Sequence, residues 1–437
     1  MPPLPALLLA LALVPQDLSR EDMQLDLETV AREARAQWSY LDDKREHFGV
    51  DLEGLVAAAA ASLPESATRA EFDRVLRRLV AALGDGHGSV QYETPLPRPA
   101  RRWPFTLIET AEGLTVARSV GEGGPAPGDL LRAADARPAD ELWRAAQQLA
   151  IGSTPGMRRR VALERMRQSD ATALAFEFEG ADGARRTLDL ATLEAGDPRV
   201  DPPAEGAWSF DELAPGVVRL RIASFAMPQW RAWLDADQTQ RDAMQVEVKA
   251  AVDTLFVGLQ ALAPRALVLD LRGNAGGTDT LGIHFAERLL PEPFVYFRLS
   301  ALREGQWSEP HGYTYGEAED LPRVVVPTIA LIDAGCFSTT DNFLRALDTL
   351  HPDFASVGRP TGAGTGAPRQ IVELPHSRAR ITLCTQRVYG PDGTLIEGRG
   401  TTPDVPVAWS PVDLREGRDP DVEAALTLLR SRDLVSE

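Results

Sequence analysis

The chain contains, at residues 267–277, the stretch Leu267-Val-Leu-Asp-Leu-Arg-Gly-Asn-Ala-Gly-Gly277, an apolar strand that ends in a glycine-rich turn. A helix is predicted directly after it, over residues 280–290. Such a turn exposes backbone N–H groups at a helix N-terminus, where negative charge is favoured. Taken alone, a stretch of this kind is more often a plain strand–helix connection than an oxyanion hole.

A second strand–helix junction carries Ser338. It reads Thr328-Ile-Ala-Leu-Ile-Asp-Ala-Gly-Cys-Phe-Ser-Thr-Thr-Asp-Asn-Phe343 and predicts a buried strand over residues 328–332 and a helix over about 340–350. A serine at the start of a helix usually caps it, so for an isolated serine the N-cap interpretation outweighs a nucleophile by roughly five to one. Asp341, in the first turn, is predicted to stabilise the same helix N-terminus.

Strands and helices alternate around these junctions. A strand is predicted at residues 217–222 and an amphipathic helix at 246–263. Over residues 207–437 the alternation predicts an α/β domain with helices packed against a largely parallel sheet.

Two smaller regions precede this domain. Residues 16–98 are predicted to be mainly helical and contain the loop Gly84-Asp-Gly-His-Gly88. Residues 103–196 are predicted to form an α+β unit, with strands at 114–116, 171–179 and 186–190 and a helix near 139–150.

Composition excludes several classes of function. A chain of 437 residues predicts two or three domains, and a net charge of −18 argues against nucleic acid or an anionic membrane as a partner. Two cysteines, Cys336 and Cys384, are too few for a disulfide scaffold, and whether they pair is left open. The histidines are scattered singly and no HExxH or CxxC motif occurs, so neither a metal nor a cofactor is predicted.

The N-terminus resembles a signal peptide. Residues 4–14 form an apolar run too short to span a bilayer, and Ala10-Leu-Ala12 offers a small-residue cleavage site. We therefore predict that residues 1–15 are a signal peptide and that the protein is exported to the periplasm or the exterior. No basic residue precedes the run and Pro15 crowds the site, so cytoplasmic residence stays open. No later segment is apolar enough to span a membrane.

The two junctions together, in this order and spacing, resemble the family of C-terminal processing peptidases and the tricorn protease core. The resemblance rests on an LDLRxNxGG strand–turn at residues 269–277 and on Ser338-Thr-Thr-Asp341, and it continues through residues 358–361 and 397–404. It implies a crotonase/ClpP-like ββα catalytic domain and a serine peptidase with Ser338 as nucleophile. The implied oxyanion hole consists of the backbone N–H group of Thr339 and that of Gly276 or Gly277.

The processing peptidases use a lysine base a few tens of residues after the serine. The matching residues 361–370 contain no lysine, and the only two lysines, Lys44 and Lys249, both precede Ser338. Arg369 cannot replace the lysine, because guanidinium keeps its proton in proteins. A Ser–Lys dyad at the family position is therefore excluded.

The tricorn branch instead uses a histidine from the N-terminal part, assisted by a glutamate, and this chain is nearer to that branch. The resemblance implies His87 as general base and Glu397 as the assisting acid. The tricorn pattern has a serine just before its histidine, where this chain has Gly86. The link from His87 to Glu397 is then direct, through water, or through Asp85 or Ser89.

The middle unit resembles the PDZ-like domain of these peptidases, with residues 127–129 as a P-G-D turn. Gly113, Leu114, Thr115 and Val116 fall where a carboxylate-binding loop is expected. The implied substrate is an extended or C-terminal segment of a peptide or unfolded protein, cleaved through an acyl-enzyme.

Two other functions stay open, and so does the oligomeric state. The missing lysine keeps a catalytically silent protein on the same fold possible, one that binds peptides or small ligands as the retinoid-binding relatives of the family do. A serine hydrolase of another class, such as an esterase, is the weakest alternative, because no G-x-S-x-G motif occurs.

Overall fold

The computed structural model describes residues 17–199, 207–303, 306–366 and 369–434. The predicted signal peptide and its cleavage site therefore lie outside the described residues. Two of the N-terminal helices begin at capping boxes, in which Ser19 pairs with Asp22 and Thr68 with Glu71. The elements of this region are β1 (Leu18–Ser19), α1 (Arg20–Gln37), α2 (Leu41–Phe48), α3 (Leu52–Ala61), β2 (Ser66–Ala67), α4 (Arg69–Leu83) and β3 (Ser89–Tyr92).

The middle region is an antiparallel sheet with two helices. Its main strands lie in the order β11-β10-β7-β6-β5, and Phe105, Phe176 and Phe178 form its core. The elements are β4 (Arg101–Arg102), β5 (Phe105–Thr110), β6 (Gly113–Ser119), β7 (Leu130–Ala134), β8 (Arg137–Pro138), α5 (Ala139–Gln147), α6 (Pro155–Met166), β9 (Gln168–Ser169), β10 (Ala173–Glu179), β11 (Arg185–Ala191) and β12 (Leu193–Glu194).

The last region alternates between strands and helices, as predicted. Its elements are β13 (Trp208–Ala214), β14 (Val217–Ile222), α7 (Trp230–Asp235), α8 (Gln238–Ala261), β15 (Ala266–Asp270), α9 (Asp279–Leu289), β16 (Phe294–Val295), β17 (Arg298–Arg303), β18 (Gln306–Trp307), β19 (Thr314–Tyr315), β20 (Thr328–Ile332), α10 (Thr339–Leu350), β21 (Phe354–Gly358), β22 (Arg369–Glu373), β23 (Ala379–Cys384), β24 (Gln386–Tyr389), β25 (Val405–Pro406), α11 (Pro411–Glu416) and α12 (Pro420–Ser431).

The central sheet has the order β13-β14-β15-β20-β21-β25. Neighbours from β14 to β25 are parallel, and the edge strand β13 is antiparallel. Alternate residues of β15 face opposite sides: Leu267 and Leu269 pack with α8, α9 and α10, whereas Val268 packs with α12. Because helices cover both faces, β15 and β20 are buried at every position, and this explains their unbroken apolar sequence.

A small sheet joins the N-terminal region to the last region. Strand β3 pairs with β23, which pairs in turn with β22. The N-terminal helices therefore share a hydrophobic core with β22 and β23, in which Phe72 and Leu76 pack with Ile381 and Leu383. This pairing carries the loop before β3 to the edge of the α/β region.

The charged residues of the first junction hold α12 on the sheet. Arg272 donates to both oxygens of Asp270 and also reaches Asp419 and Asp421. Asp421 is fully buried and accepts two more hydrogen bonds from Arg359. Buried charges need such partners, so this network fixes the start of the glycine-rich turn. In the part of the chain that the structure describes, no helix combines the length and hydrophobicity that crossing a bilayer requires.

Candidate active site

Ser338 lies at the N-terminus of α10, directly after the loop that follows β20. Its backbone has φ 62° and ψ −124°, and its side chain makes no capping hydrogen bond. Instead, Ser338 Oγ lies 3.1 Å from His87 Nε2, across 251 residues of sequence. The hydroxyl is thus aimed at an imidazole, which the N-cap interpretation does not explain. A non-glycine residue with this backbone geometry costs about 1–3 kcal/mol, and such strain clusters at functional sites.

The two junctions predicted from the sequence are in direct contact. The Phe337 amide donates to the carbonyl oxygen of Asn274. A Cβ atom at Gly276 would lie 2.8 Å from Ser338 Cβ and 2.9 Å from the Thr339 nitrogen. Only glycine fits there, so the glycine-rich turn serves to bring its backbone against Ser338.

One of the three predicted oxyanion amides is already used by the fold. The Gly276 N–H donates to Asn274 Oδ1 at 2.9 Å. The amides of Gly277 and Thr339 have no protein acceptor among the described residues. Thr339 is the first residue of α10, whose leading N–H groups have no partner within the helix. The geometry therefore favours Gly277 and Thr339, and not Gly276, as oxyanion donors.

His87 lies in a tight loop built on a buried aspartate. Asp85 Oδ1 accepts from the His87 backbone N–H at 2.9 Å, and Asp85 Oδ2 accepts from Trp38 Nε1 at 2.8 Å. The imidazole stacks on the ring of Phe337, with ring centres 4.5 Å apart and planes at 25°. Because Phe337 immediately precedes Ser338, this stacking sets the plane of the imidazole relative to the hydroxyl.

Glu397 is fully buried close to this loop. Its Oε1 accepts from Lys44 Nζ at 2.9 Å, and its Oε2 accepts from the Thr365 amide at 3.2 Å. Burial raises the pKa of Glu397 to about 7, and Lys44 opposes that rise. Lys44 also donates to the Gly84 carbonyl oxygen at 2.6 Å. The structure thus brings Ser338 and His87 together and joins Glu397 to Lys44, a partner that the sequence did not predict.

Ser153 was also missed by the sequence. Its Oγ accepts from the Gly86 amide at 2.8 Å, and a Cβ atom at Gly86 would lie only 2.5 Å from that oxygen. A hydrogen bond from Ser153 also lowers the pKa of Glu397. The Ser153 hydroxyl therefore occupies the place where a side chain of residue 86 would lie, between the His87 loop and Glu397. No motif surrounds Ser153, so only the packing reveals it.

Asp341 does more than stabilise a helix N-terminus. It is almost fully buried and accepts from Thr361 Oγ1 at 2.5 Å and from the Gly364 amide at 3.3 Å. Burial raises its pKa to about 8. Gly364 in turn lies against Phe337, because a Cβ atom there would overlap the phenyl ring at 1.7 Å. Asp341 thus holds the loop that supports the ring beneath His87.

Comparison with known proteins bears on the family and the fold of the chain. Residues 218–407 match the family model described as Peptidase family S41. This match covers less than half of the chain. The matched segment includes Ser338 and Glu397 but not His87, which reaches the site through the pairing of β3 with β23. No curated protein matches the sequence.

Solved structures share the fold over almost the whole chain. Mature CPAF complexed with lactacystin has a TM-score of 0.74 at 14% identity and covers 94% of this chain and 97% of its own. Mature CPAF alone has a TM-score of 0.69 at 14% identity, with coverages of 91% and 94%. A Parabacteroides merdae protein, described only provisionally as a peptidase, has a TM-score of 0.55 at 17% identity and covers 94% and 97%. With the S41 match, this shared fold supports a serine protease hydrolase.

The residues predicted as a carboxylate-binding loop lie in a strand. Gly113, Leu114, Thr115 and Val116 all belong to β6, which pairs with β5 on one side and with β7 on the other. Leu114 and Val116 point into the core of the middle region. The strand predicted over residues 114–116 is confirmed as part of β6.

The strain at Ser338 predicts an unusual order of stability. We expect Ser338→Gly to be more stable than Ser338→Ala by roughly 1 kcal/mol, because glycine adopts φ 62° without a Cβ clash. Urea unfolding of both purified variants measures the difference. Equal stability would mean that the turn is not strained.

The raised pKa of Asp341 predicts a pH dependence of folding. The folded protein keeps this proton up to about pH 8, whereas an unfolded aspartate loses it near pH 4. Stability should therefore fall as pH rises through this window, by at most about 1.4 kcal/mol per pH unit. In Asp341→Asn the fall should be shallower, which urea unfolding at pH 5 to 8 measures. An identical slope in the variant would contradict the assignment.

Proposed function

We propose that the chain is an active serine peptidase that cleaves extended or C-terminal segments of peptides, with Ser338 as nucleophile and His87 as general base. The observation that carries the proposal is the 3.1 Å contact between Ser338 Oγ and His87 Nε2 at a strained strand–helix junction. The S41 fold implies serine protease activity on protein or peptide substrates. The branch that uses a histidine is our inference from this contact.

The proposed reaction follows from the positions of these groups. Ser338 Oγ attacks the scissile carbonyl carbon while His87 Nε2 accepts the hydroxyl proton, and the imidazolium then gives that proton to the leaving amine. The carbonyl oxygen becomes an oxyanion, which the N–H groups of Gly277 and Thr339 stabilise. Each such donor lowers the barrier by about 3 kcal/mol. Water then releases the acyl group from Ser338 by the reverse sequence of proton transfers.

Three contacts orient the base. Phe337 fixes the plane of the ring, Asp85 fixes the backbone of the loop, and Ser153 holds the Gly86 amide and connects it to Glu397. In this proposal Glu397 supports the loop through Ser153, and its charge is balanced by Lys44. Lys44 is not the base, because its ammonium is held between Glu397 and the Gly84 carbonyl oxygen.

The catalytically silent alternative is less consistent with the geometry. A binding protein on this fold has no need of a serine held at φ 62° against an imidazole. The middle region remains our candidate for a PDZ-like domain that recognises peptide ends. Export through residues 1–15 also remains a proposal, supported by the apolar run in the sequence.

Covalent labelling tests the nucleophile and the base. We expect a fluorophosphonate probe to label the wild-type protein once, and Ser338→Ala to abolish the label because the attacking oxygen is gone. His87→Ala should slow labelling at least 100-fold, in keeping with the usual contribution of a general base. The measurement is the labelling rate, followed by mass spectrometry of the modified peptide. Unchanged labelling of His87→Ala would refute His87 as base, and a folded wild-type protein that never reacts would favour the silent alternative.

Replacement of Ser153 tests the connection to Glu397. We expect Ser153→Ala to lower kcat for peptide cleavage about tenfold with little change in KM, because the His87 loop loses its anchor but the substrate keeps its contacts. Ser89→Ala is the matched control, since Ser89 lies two residues beyond His87 and, among the described residues, its hydroxyl hydrogen-bonds with Thr382 and Gln91 rather than with Gly86. If the pH profile of kcat also shifts in Ser153→Ala but not in Ser89→Ala, the Ser153 hydroxyl acts on the ionisable groups of the site. Equal losses in both variants would contradict a specific role for Ser153.

A further inference from the structure

A cysteine lies beside the imidazole of His87. One potential ligand atom from each of Asp85, His87 and Cys384 lies within 4.8 Å of the other two. Cys384 Sγ is 3.4 Å from Asp85 Oδ1. The backbone of Gly366 shows which ring nitrogen faces the thiol: a Cβ atom there would lie 2.5 Å from His87 Nδ1 and 2.8 Å from Cys384 Sγ. Nδ1 thus points toward the thiol, while Nε2 points toward Ser338.

The fold holds these three groups in place. Cys384 ends β23, and the loop with Asp85 and His87 leads directly into β3, which pairs with β23. The Cys384 carbonyl oxygen accepts from the Ser39 amide at 2.8 Å, and Asp85 is anchored by Trp38. Because the sheet fixes both backbones, the side chains need only small rotations to converge on one point.

We propose that Asp85, His87 and Cys384 form an inhibitory site for a thiophilic divalent metal ion, Zn²⁺ above all. Zn²⁺ binds thiolate, imidazole and carboxylate ligands at about 2.0–2.3 Å, usually with four ligands in a tetrahedron, and water completes a set of three. Hard ions such as Mg²⁺ and Ca²⁺ prefer sites made of oxygen alone. The ligand types therefore select a soft or borderline metal.

Charge also favours a doubly charged ion. Asp85 and Cys384 are buried, and when the thiol loses its proton on metal binding they contribute two negative charges. A neutral imidazole adds none, so the complex with Zn²⁺ carries no net charge. An uncharged complex avoids most of the cost of placing an isolated ion in a buried site.

Metal binding at this place would stop the proposed reaction. Once Nδ1 donates its electron pair to the metal, the remaining imidazole proton must be on Nε2. Nε2 can then donate to Ser338 Oγ but cannot accept its proton, so the nucleophile is not activated. The inhibition therefore rests on the proposed role of His87, whereas the metal binding itself does not.

The test combines metal spectroscopy with labelling of the full chain. We expect one Co²⁺ to bind per chain with the thiolate-to-cobalt charge-transfer band and the strong visible bands of a tetrahedral site. Zn²⁺ should displace Co²⁺ and slow fluorophosphonate labelling at least tenfold. Addition of a chelator should reverse this inhibition. Cys384→Ser should lose the cobalt band and become insensitive to Zn²⁺, because a hydroxyl is a poor ligand for zinc. Cys336→Ser is the matched control, since it removes the other buried cysteine and should keep both responses.

The cobalt spectrum and the response to Zn²⁺ decide whether the metal site exists. Absence of the charge-transfer band in the wild-type protein, or its persistence in Cys384→Ser, would overturn the site. If Cys384→Ser does not fold, Cys384→Ala and the wild-type spectrum carry the same test. Inhibition by Zn²⁺ that survives loss of Cys384 would mean that the ion acts elsewhere, and it would also overturn the proposal. A normal cobalt spectrum in a protein that never reacts with the probe would leave the metal site standing and refute the peptidase activity instead.

Discussion

The active-site contact depends on one constraint: a loop from the N-terminal region must be held against the end of a strand far along the chain. Two interactions satisfy this constraint. Strand β3 pairs with β23. In addition, Lys44 forms a buried ion pair with Glu397, after β24, and donates to the Gly84 carbonyl oxygen at the start of the loop. Removing one partner of a buried ion pair leaves an uncompensated charge, which typically costs about 3–5 kcal/mol. The position of His87 is therefore a property of the whole fold and not of its own loop.

Strain and close packing meet at Ser338. The positive φ of this residue is tolerated because Gly276 lets a second backbone approach within contact distance, and because Asp341 secures the loop on the other side. Phe337 is packed just as closely: it fills the space left by Gly86 and Gly364 and supports the imidazole of His87. Small residues on three separate segments thus allow one aromatic ring and one serine to lie where the chemistry requires them.

Much of the α/β region could be predicted from the sequence, because buried parallel strands have a clear apolar signature. The predicted strands at residues 217–222 and 328–332 have the bounds of β14 and β20. The predicted helix over 280–290 differs from α9 by one residue at each end, and that over 340–350 differs from α10 by one residue at its start. The approach of His87 to Ser338 was also predicted, from family resemblance and the absence of a suitable lysine.

The features that the sequence could not predict depend on contacts between residues that no local pattern connects. Helix α6 has no strong apolar stripe, because Arg158, Arg159 and Arg160 interrupt it, and so the start of this helix after Ser153 and Thr154 was not predicted. The pairing of Lys44 with Glu397 and the approach of Ser153 to Gly86 join residues with no periodic relation in the chain. Strand β6 was predicted only over residues 114–116, whereas it spans Gly113–Ser119.

The place of Ser153 bears on how divergent enzymes are recognised. In the proposed site, the Ser153 hydroxyl lies where a side chain at position 86, just before His87, would be. A sequence alignment would show this change only as a missing motif residue. A protein classified from the alignment alone would then be taken for an inactive enzyme. A functional group can thus keep its position in space although the residue that supplies it has moved in the sequence. When a motif residue is missing, the structure should be searched for a substitute before inactivity is inferred.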